Sequence, residues 1–155
     1  MLFRGTLIQG GLIYDKNNAL QEWLSASPYA TDIYFNFSPA EAGVTNVATV
    51  SGDKVLQWYM GGYAKKSYDF GVIQYLAVNT DIPNSTDNTG AMTRVEAFMN
   101  WVTEQDKLHN YPDFGEGAEI YRVEVLNSRP IVAGQDDEVA KYQFECRVTY
   151  IEKEY

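Results

Sequence analysis

The sequence predicts a single α+β domain in which two main helices pack on a mostly antiparallel β-sheet. One segment, residues 90–109, repeats apolar side chains with the period of a helix, whereas residues 142–152 alternate apolar and polar side chains as a half-buried strand does. The chain has 155 residues and 45% of them are hydrophobic, which is enough for one domain with a buried core.

The first half of the chain predicts one helix and several strands. Residues 1–14 pair short apolar runs with glycines and predict either a small hairpin turning at Gly10-Gly11 or an arm that orders only against a neighbour. The domain proper then covers residues 15–155. The spacing of Leu20, Trp23 and Leu24 predicts a helix from Lys16 to about Ser25. Strands are predicted over residues 33–37, 44–50, 55–60 and 67–78, with turns at residues 51–53 and 61–62.

The second half predicts the longer helix and two late strands. Residues 81–89 are rich in turn formers and predict a loop in which Asn88 or Thr89 caps the following helix. That helix should run from about Gly90 to His109 and bury Val95, Phe98, Met99 and Val102 against the sheet. Strands are predicted over residues 119–126 and 142–152, and one face of the last strand should carry Tyr142, Phe144, Cys146, Val148 and Tyr150.

The charge of the chain limits the classes of partner. A formal net charge of −9 and a pI of about 4.5 disfavour a surface that grips nucleic acid through its phosphates. No apolar run approaches the ~20 residues that span a bilayer, and the N-terminal stretch lacks a signal-peptide pattern. We therefore expect a soluble, unsecreted protein that does not insert into a membrane.

The residue types that catalysis requires are scarce. Cys146 is the only cysteine and is expected to be a small buried hydrophobe, while the only histidine, His109, is expected to cap a helix C-terminus. There is no Gly-x-Ser-x-Gly elbow and no phosphate-binding glycine loop. The densest acidic cluster, residues 136–138, lacks the alternating ligands of a calcium loop. We expect no catalytic residue, no metal, no cofactor and no enzymatic activity.

Aromatic residues raise the question of an interface. Trp101 lies off the apolar stripe of its helix, and Trp58-Tyr59-Met60 places bulky side chains on both faces of a strand. These aromatics are either buried within the domain or in contact with another subunit, so Trp58, Tyr59 and Trp101 are the candidate interface residues. A rival hypothesis is a small enzyme or ligand-binding domain with an aromatic pocket lined by Trp58, Tyr59 and Tyr63.

Four blocks of the C-terminal half resemble a known family. They are Phe-Met-Asn-Trp-Val-Thr-Glu-Gln at 98–105, Pro-Asp-Phe-Gly-Glu-Gly at 112–117, Ile-Tyr-Arg-Val-Glu-Val-Leu at 120–126, and Ala-Lys-Tyr-Gln-Phe-Glu-Cys-Arg-Val-Thr-Tyr at 140–150. In order and spacing they resemble the minor-capsid or tail-terminator proteins of long-tailed bacteriophages with Gram-positive hosts. The first half resembles this family more weakly, and residues 1–14 look like an addition before its usual first helix.

The resemblance implies assembly. Such a protein forms a ring, commonly of six copies, at the neck of the virion. The ring caps the finished tube, which consists of the tail tube protein, and joins that tube to the head-side connector. Genomic DNA passes through the ring without sequence-specific binding. A neighbouring role as a head-completion or connector protein stays open. An acidic channel would let DNA slide, and the candidate channel-facing residues are Glu116, Glu119, Asp136, Asp137 and Glu138.

Overall fold

The described part of the protein folds into a six-stranded sheet, a separate two-stranded hairpin and two helices, an α+β arrangement. The computed structural model describes residues 5–8, 11–14, 16–30, 32–35, 41–77, 86–135 and 139–154. In chain order the elements are β1 Gly5–Ile8, β2 Gly11–Tyr14, α1 Lys16–Ser25, β3 Ile33–Phe35, β4 Thr45–Tyr59, β5 Tyr63–Ala77, α2 Thr86–Lys107, β6 Ala118–Val125, β7 Ile131–Gln135 and β8 Val139–Lys153.

The larger sheet has the order β3-β4-β5-β8-β6, and β7 also pairs with β8. The β3–β4 pair is parallel and the other pairs are antiparallel, as expected for a mostly antiparallel sheet. Its centre is the β5–β8 pair, which runs in unbroken register from Tyr63 opposite Lys153 to Ala77 opposite Val139. The separate hairpin consists of β1 and β2, which pair with each other in antiparallel register. The predicted turn residues between them include Gly10, which lies outside the described residues.

Side chains from both helices and one face of the sheet form the core. Val95, Phe98 and Val102 of α2 are fully buried, and the Phe98 ring meets the Phe144 ring of β8 edge-on at 5.5 Å. Leu20 of α1 belongs to the same cluster. The predicted buried face of α2 and the alternating pattern of β8 are therefore confirmed.

The segment predicted as two strands is one long strand, β4. A register shift between Ser51 and Lys54 marks a bulge, and Asp53 has a left-handed φ of 48°. Such a bulge bends a strand and increases its twist without ending the pairing. The prediction was wrong because Ser-Gly-Asp at residues 51–53 has turn composition.

Both ends of α2 differ from the prediction in an informative way. The helix begins at Thr86, so Asn88 and Thr89 lie inside it and not at the position before its first residue. At its other end His109 has a φ of 55°, its N–H donates to the carbonyl of Asp106, and Asn110 N–H donates to the carbonyl of Gln105. This is a Schellman ending. His109 therefore ends the helix through its backbone conformation.

Strand β7 was not predicted. It spans Ile131–Gln135 and contains a register shift between Val132 and Gly134. Pro130 before the strand and the acidic run after it resemble a loop in composition. The strand forms because its backbone pairs with β8, a contact that local sequence does not reveal.

Candidate subunit interface

An exposed apolar surface lies where β4 and β5 meet. The β4–β5 connection turns through Gly61 and Gly62, whose φ values of 85° and 83° suit glycine. Trp58 is 65% exposed and Met60 is 97% exposed. We call residues 55–63 the hairpin tip; its exposed apolar side chains are Val55, Leu56, Trp58, Tyr59, Met60 and Tyr63.

The hairpin tip presents aromatic side chains on both faces of the sheet. Trp58 lies opposite Ala64, whereas Tyr59 lies opposite Tyr63. Neighbouring residues of a strand point to opposite faces, and paired residues share a face. Trp58 therefore lies on the helix-bearing side and the two tyrosines on the other, so the three do not line a common pocket. This contradicts the aromatic pocket of the rival hypothesis.

The two long edges of the sheet differ in how they are protected. On the β6 side, the Asp106 carboxylate accepts a hydrogen bond from the backbone N–H of Val123 at 2.9 Å and another from the Tyr111 hydroxyl at 2.8 Å. The Tyr111 hydroxyl also lies 3.1 Å from the carbonyl oxygen of Tyr121. Burial, together with the bond to Asp106, raises the pKa of Tyr111 to about 12. Side chains thus occupy two of the backbone groups that a further strand beside β6 would need.

Strand β4 lies on the other side of the sheet, next to the short strand β3. Strand β3 pairs with β4 only at Thr45, Asn46 and Val47. Among the described residues, no strand other than β5 pairs with β4 from Ala48 to Tyr59. Val50, 54% exposed, belongs to this stretch. Exposed apolar side chains therefore extend from the hairpin tip along β4 as far as Val50.

A group of charged residues, which we call the polar clamp, holds the base of the hairpin. Lys16 of α1 bonds Asp53 of β4 and Glu152 of β8, both at 2.9 Å. Lys66 of β5 bonds Glu152 at 2.8 Å and also contacts Glu154. The clamp therefore joins the start of α1, the β4 bulge, β5 and the end of β8.

The clamp perturbs the titration of its members. Although burial alone would raise it, the pKa of Asp53 is lowered because the Tyr150 hydroxyl and the Lys16 ammonium bond the ionised carboxylate. Burial acts to lower the pKa of Lys66, yet the pKa is raised because Glu152 and Glu154 stabilise the ammonium. No local sequence pattern marks this group, because Lys16, Asp53, Lys66 and Glu152 belong to four elements that are far apart along the chain.

Two of the five candidate channel residues lie close to the hairpin tip. Glu116 and Glu119 are both exposed, and they line a shallow cavity of about 220 Å³ together with Tyr63 of the tip and Lys153 of β8. The end of the sheet thus carries both a candidate interface and candidate channel carboxylates. The other candidates, Asp136, Asp137 and Glu138, lie outside the described residues.

Trp101 differs from the other two interface candidates. It is half-buried, and its ring lies 5.2 Å from the Trp23 ring and 6.2 Å from the Phe98 ring. The Trp23 indole N–H donates to the carbonyl of Asn110 at 2.8 Å. Trp101 therefore forms an α1–α2 contact within the chain, and α1 explains why its position lies off the sheet-facing stripe.

Cys146 and His109 sit in unlike surroundings. Cys146 is completely buried in the core, and this burial raises the pKa of its thiol far above the usual range. His109 is exposed, and its ring meets Tyr111 edge-on at 5.9 Å.

In the described ranges no group of three or more His, Cys, Asp or Glu residues is arranged to hold a metal ion. No helix within those same ranges is long and apolar enough to cross a membrane.

Comparison with known proteins adds no family assignment. No family model matches the chain, and a search of curated proteins gives no match.

Proposed function

We propose that the chain is a structural virion protein of a long-tailed phage, a tail terminator that works as one copy of a ring, with the hairpin tip as a contact between copies. The observation that carries the proposal is the exposure of Trp58 and Met60 beside other apolar side chains at one end of the sheet. Contiguous exposed apolar patches of this kind mark interaction sites. The phage setting rests on the sequence resemblance alone.

Burying the hairpin tip in an interface would contribute favourable free energy to association. Removing a large apolar side chain from water contributes about 1.5–3 kcal/mol. Trp and Met are also enriched in the cores of protein interfaces, where charged residues are depleted. Covering Trp58 and Met60 alone therefore supplies a substantial part of the association free energy of a stable contact.

Charge supports a ring through which DNA slides. The net charge of −9 repels phosphate, and Glu116 and Glu119 lie at the same end of the sheet as the tip. The tip would bind the next copy, and the nearby carboxylates would contribute to an acidic channel. A head-completion protein of the same neck is the second candidate, because it would use the same kind of ring contact.

The interface is tested by the oligomeric state of matched variants. Native mass spectrometry of the wild-type chain should show a closed oligomer. Trp58→Ser combined with Met60→Ser should give folded monomers. Leu108→Ser is the control, because Leu108 follows α2 and is 64% exposed, nearly the same as Trp58. A wild-type chain that is monomeric at micromolar concentration contradicts the ring, and a tip variant that still assembles removes the tip from it.

The place in the particle is tested by assembling phage without this protein. Loss of a terminator leaves tails of uncontrolled length, whereas loss of a head-completion protein leaves finished tails that do not attach to heads. Electron microscopy of the two products separates the candidates.

A further inference from the structure

We propose that the hairpin tip of each copy binds the opposite end of the sheet of the next copy, at a surface that we call the far-end patch. The patch consists of Leu126, Ile131 and Val132, which are 37%, 45% and 49% exposed. The inference deepens the proposed function and rests on it, because it identifies the surface that receives the tip.

A ring of more than two copies needs two different surfaces on each copy. A contact between two identical patches closes as a dimer, whereas a head-to-tail contact repeats around a ring when the rotation between copies permits. The tip therefore cannot build the proposed ring by binding the tip of another copy. Each copy must carry a second surface that fits the tip and leaves its own tip free for another neighbour.

The far-end patch lies far from the tip of its own copy. Tyr63 of the tip lies opposite Lys153 of β8, whereas Val132 lies opposite Tyr142 of the same strand. Lys153 and Tyr142 are 11 positions apart along β8, which is about 36 Å in an extended strand. One copy can therefore bind a different neighbour at each end of its sheet.

The side chains of the far-end patch are neighbours. The Leu126 N–H donates to the carbonyl of Glu145 at 2.8 Å, and Ile131 pairs with Gln143. Positions 143 and 145 of β8 lie on the face of the sheet that the helices do not cover, so Leu126 and Ile131 lie side by side on that face. Val132 follows Ile131 in β7 and extends the patch to the other face.

No other exposed apolar group of this size lies away from the tip in the part of the chain that the structure describes. Outside β4 and the tip, the remaining exposed large apolar side chains are single ones: Tyr34 of β3, Leu108 after α2 and Tyr121 of β6. Single exposed apolar side chains are normal on a protein surface, whereas a contiguous group marks an interaction site. The far-end patch is therefore the surface that best fits an apolar tip.

The charges beside the two surfaces are complementary. Residues 54–66 contain three lysines and no acidic residue, although the chain is acidic overall. Lys54 is exposed and lies opposite Ser67, on the face that the helices do not cover. Glu145 borders the far-end patch on the corresponding face. Among the described residues neither Lys54 nor Glu145 has an ion-pair partner, so each charge is available to a second copy.

The tip is large enough to form much of one side of a stable interface. Its three aromatic side chains, Trp58, Tyr59 and Tyr63, are 65%, 39% and 42% exposed, and together they offer about 300 Å². A stable interface covers about 800 Å² of each partner, so these three side chains supply more than a third of it. Met60, 97% exposed, adds to this area.

The first test uses two variants that each lose one surface. The tip variant carries Trp58→Ser and Met60→Ser, and the far-end variant carries Ile131→Lys and Val132→Thr. Each variant alone should be a folded monomer by circular dichroism and native mass spectrometry, whereas Leu108→Lys, the control at an exposed position away from both surfaces, should keep the wild-type oligomer.

Mixing the two variants tests the pairing itself. One of them is labelled with nitrogen-15 so that native mass spectrometry separates their masses. The equimolar mixture should give a dimer with one copy of each variant and nothing larger. The reason is that the intact tip of the far-end variant fits the intact patch of the tip variant, while the two remaining surfaces are both defective.

The outcomes distinguish this inference from the proposed function. A far-end variant that still forms the wild-type oligomer overturns the inference and leaves the tip as a ring contact. A far-end variant that forms dimers on its own shows a tip-to-tip contact, which overturns both the inference and the ring. A wild-type chain that forms no oligomer overturns the ring, and the inference fails with it.

Charge reversal keeps the inference testable if the far-end variant does not fold. Lys54→Glu and Glu145→Lys should each weaken association at least tenfold at low ionic strength, because each places like charges across the contact. A chain with both substitutions should recover the wild-type oligomer. A double variant that assembles no better than either single variant would contradict the pairing of the tip with the far-end patch.

Discussion

Replacing Phe98 by alanine tests whether the core lies between α2 and the sheet. Phe98 is fully buried, and its ring packs edge-on against Phe144 at 5.5 Å and Trp101 at 6.2 Å. Truncating a buried phenylalanine costs about 3–5 kcal/mol, which includes about 0.5–1.5 kcal/mol for each aromatic pair lost. A domain of this size is stable by about 5–15 kcal/mol, so Phe98→Ala should remove a large fraction of the total.

The measurement is urea unfolding followed by circular dichroism. Oligomer formation would add to the apparent stability, so both proteins should carry Trp58→Ser and Met60→Ser to keep them monomeric. Phe98→Leu retains most of the apolar volume and should cost clearly less than Phe98→Ala. A loss below about 1 kcal/mol for Phe98→Ala, with an unchanged dependence on urea, would refute the packing of α2 on β8.

Four further outcomes are expected. Asp53→Asn should lower the free energy of unfolding, measured by urea titration, at pH values above the ordinary aspartate pKa of 3.8, and this loss should vanish as the pH falls through the lower pKa of folded Asp53. A loss that does not change with pH would mean that the charge contributes nothing. His109→Gly should raise the unfolding free energy by about 1 kcal/mol, because glycine adopts a positive φ without the strain of a Cβ atom, and His109→Ala should not. Chelator treatment should leave the melting temperature unchanged, and a large drop would reveal a metal. Replacing Asp136, Asp137 and Glu138 with lysines should preserve the fold but slow DNA ejection from phage particles, and normal ejection would show that these residues do not line the channel.

Sequence patterns predicted the elements whose side chains repeat regularly. The face of α2 that carries Val95, Phe98 and Val102 was identified because a helix facing one sheet has one apolar stripe. The alternation in β8 was identified for the corresponding reason in a strand. In both elements the pattern is local, so the sequence contains the complete signal.

Features stabilised by distant residues were not predictable in this way. The β4 bulge keeps Asp53 in a left-handed conformation while the carboxylate bonds Lys16 and Tyr150, 37 and 97 positions away. The protection of β6 likewise depends on Asp106 at the end of α2. For the candidate site, the sequence identified both Trp58 and Trp101 as possible interface residues. Only the fold shows that Trp58 is exposed at the hairpin tip whereas Trp101 packs against α1.

The position of β8 has a consequence for folding. Strand β8 follows every other element in chain order, yet it lies between β5 and β6 in the sheet. Even the closest β5–β8 partners, Ala77 and Val139, are 62 residues apart, so the central pairing closes a long loop, which slows folding. During synthesis, β5 can pair with β4 early but must wait for β8 with its other edge exposed. Until β8 has been made, the unpaired backbone groups of β5 can pair with other chains, which favours aggregation of the nascent protein.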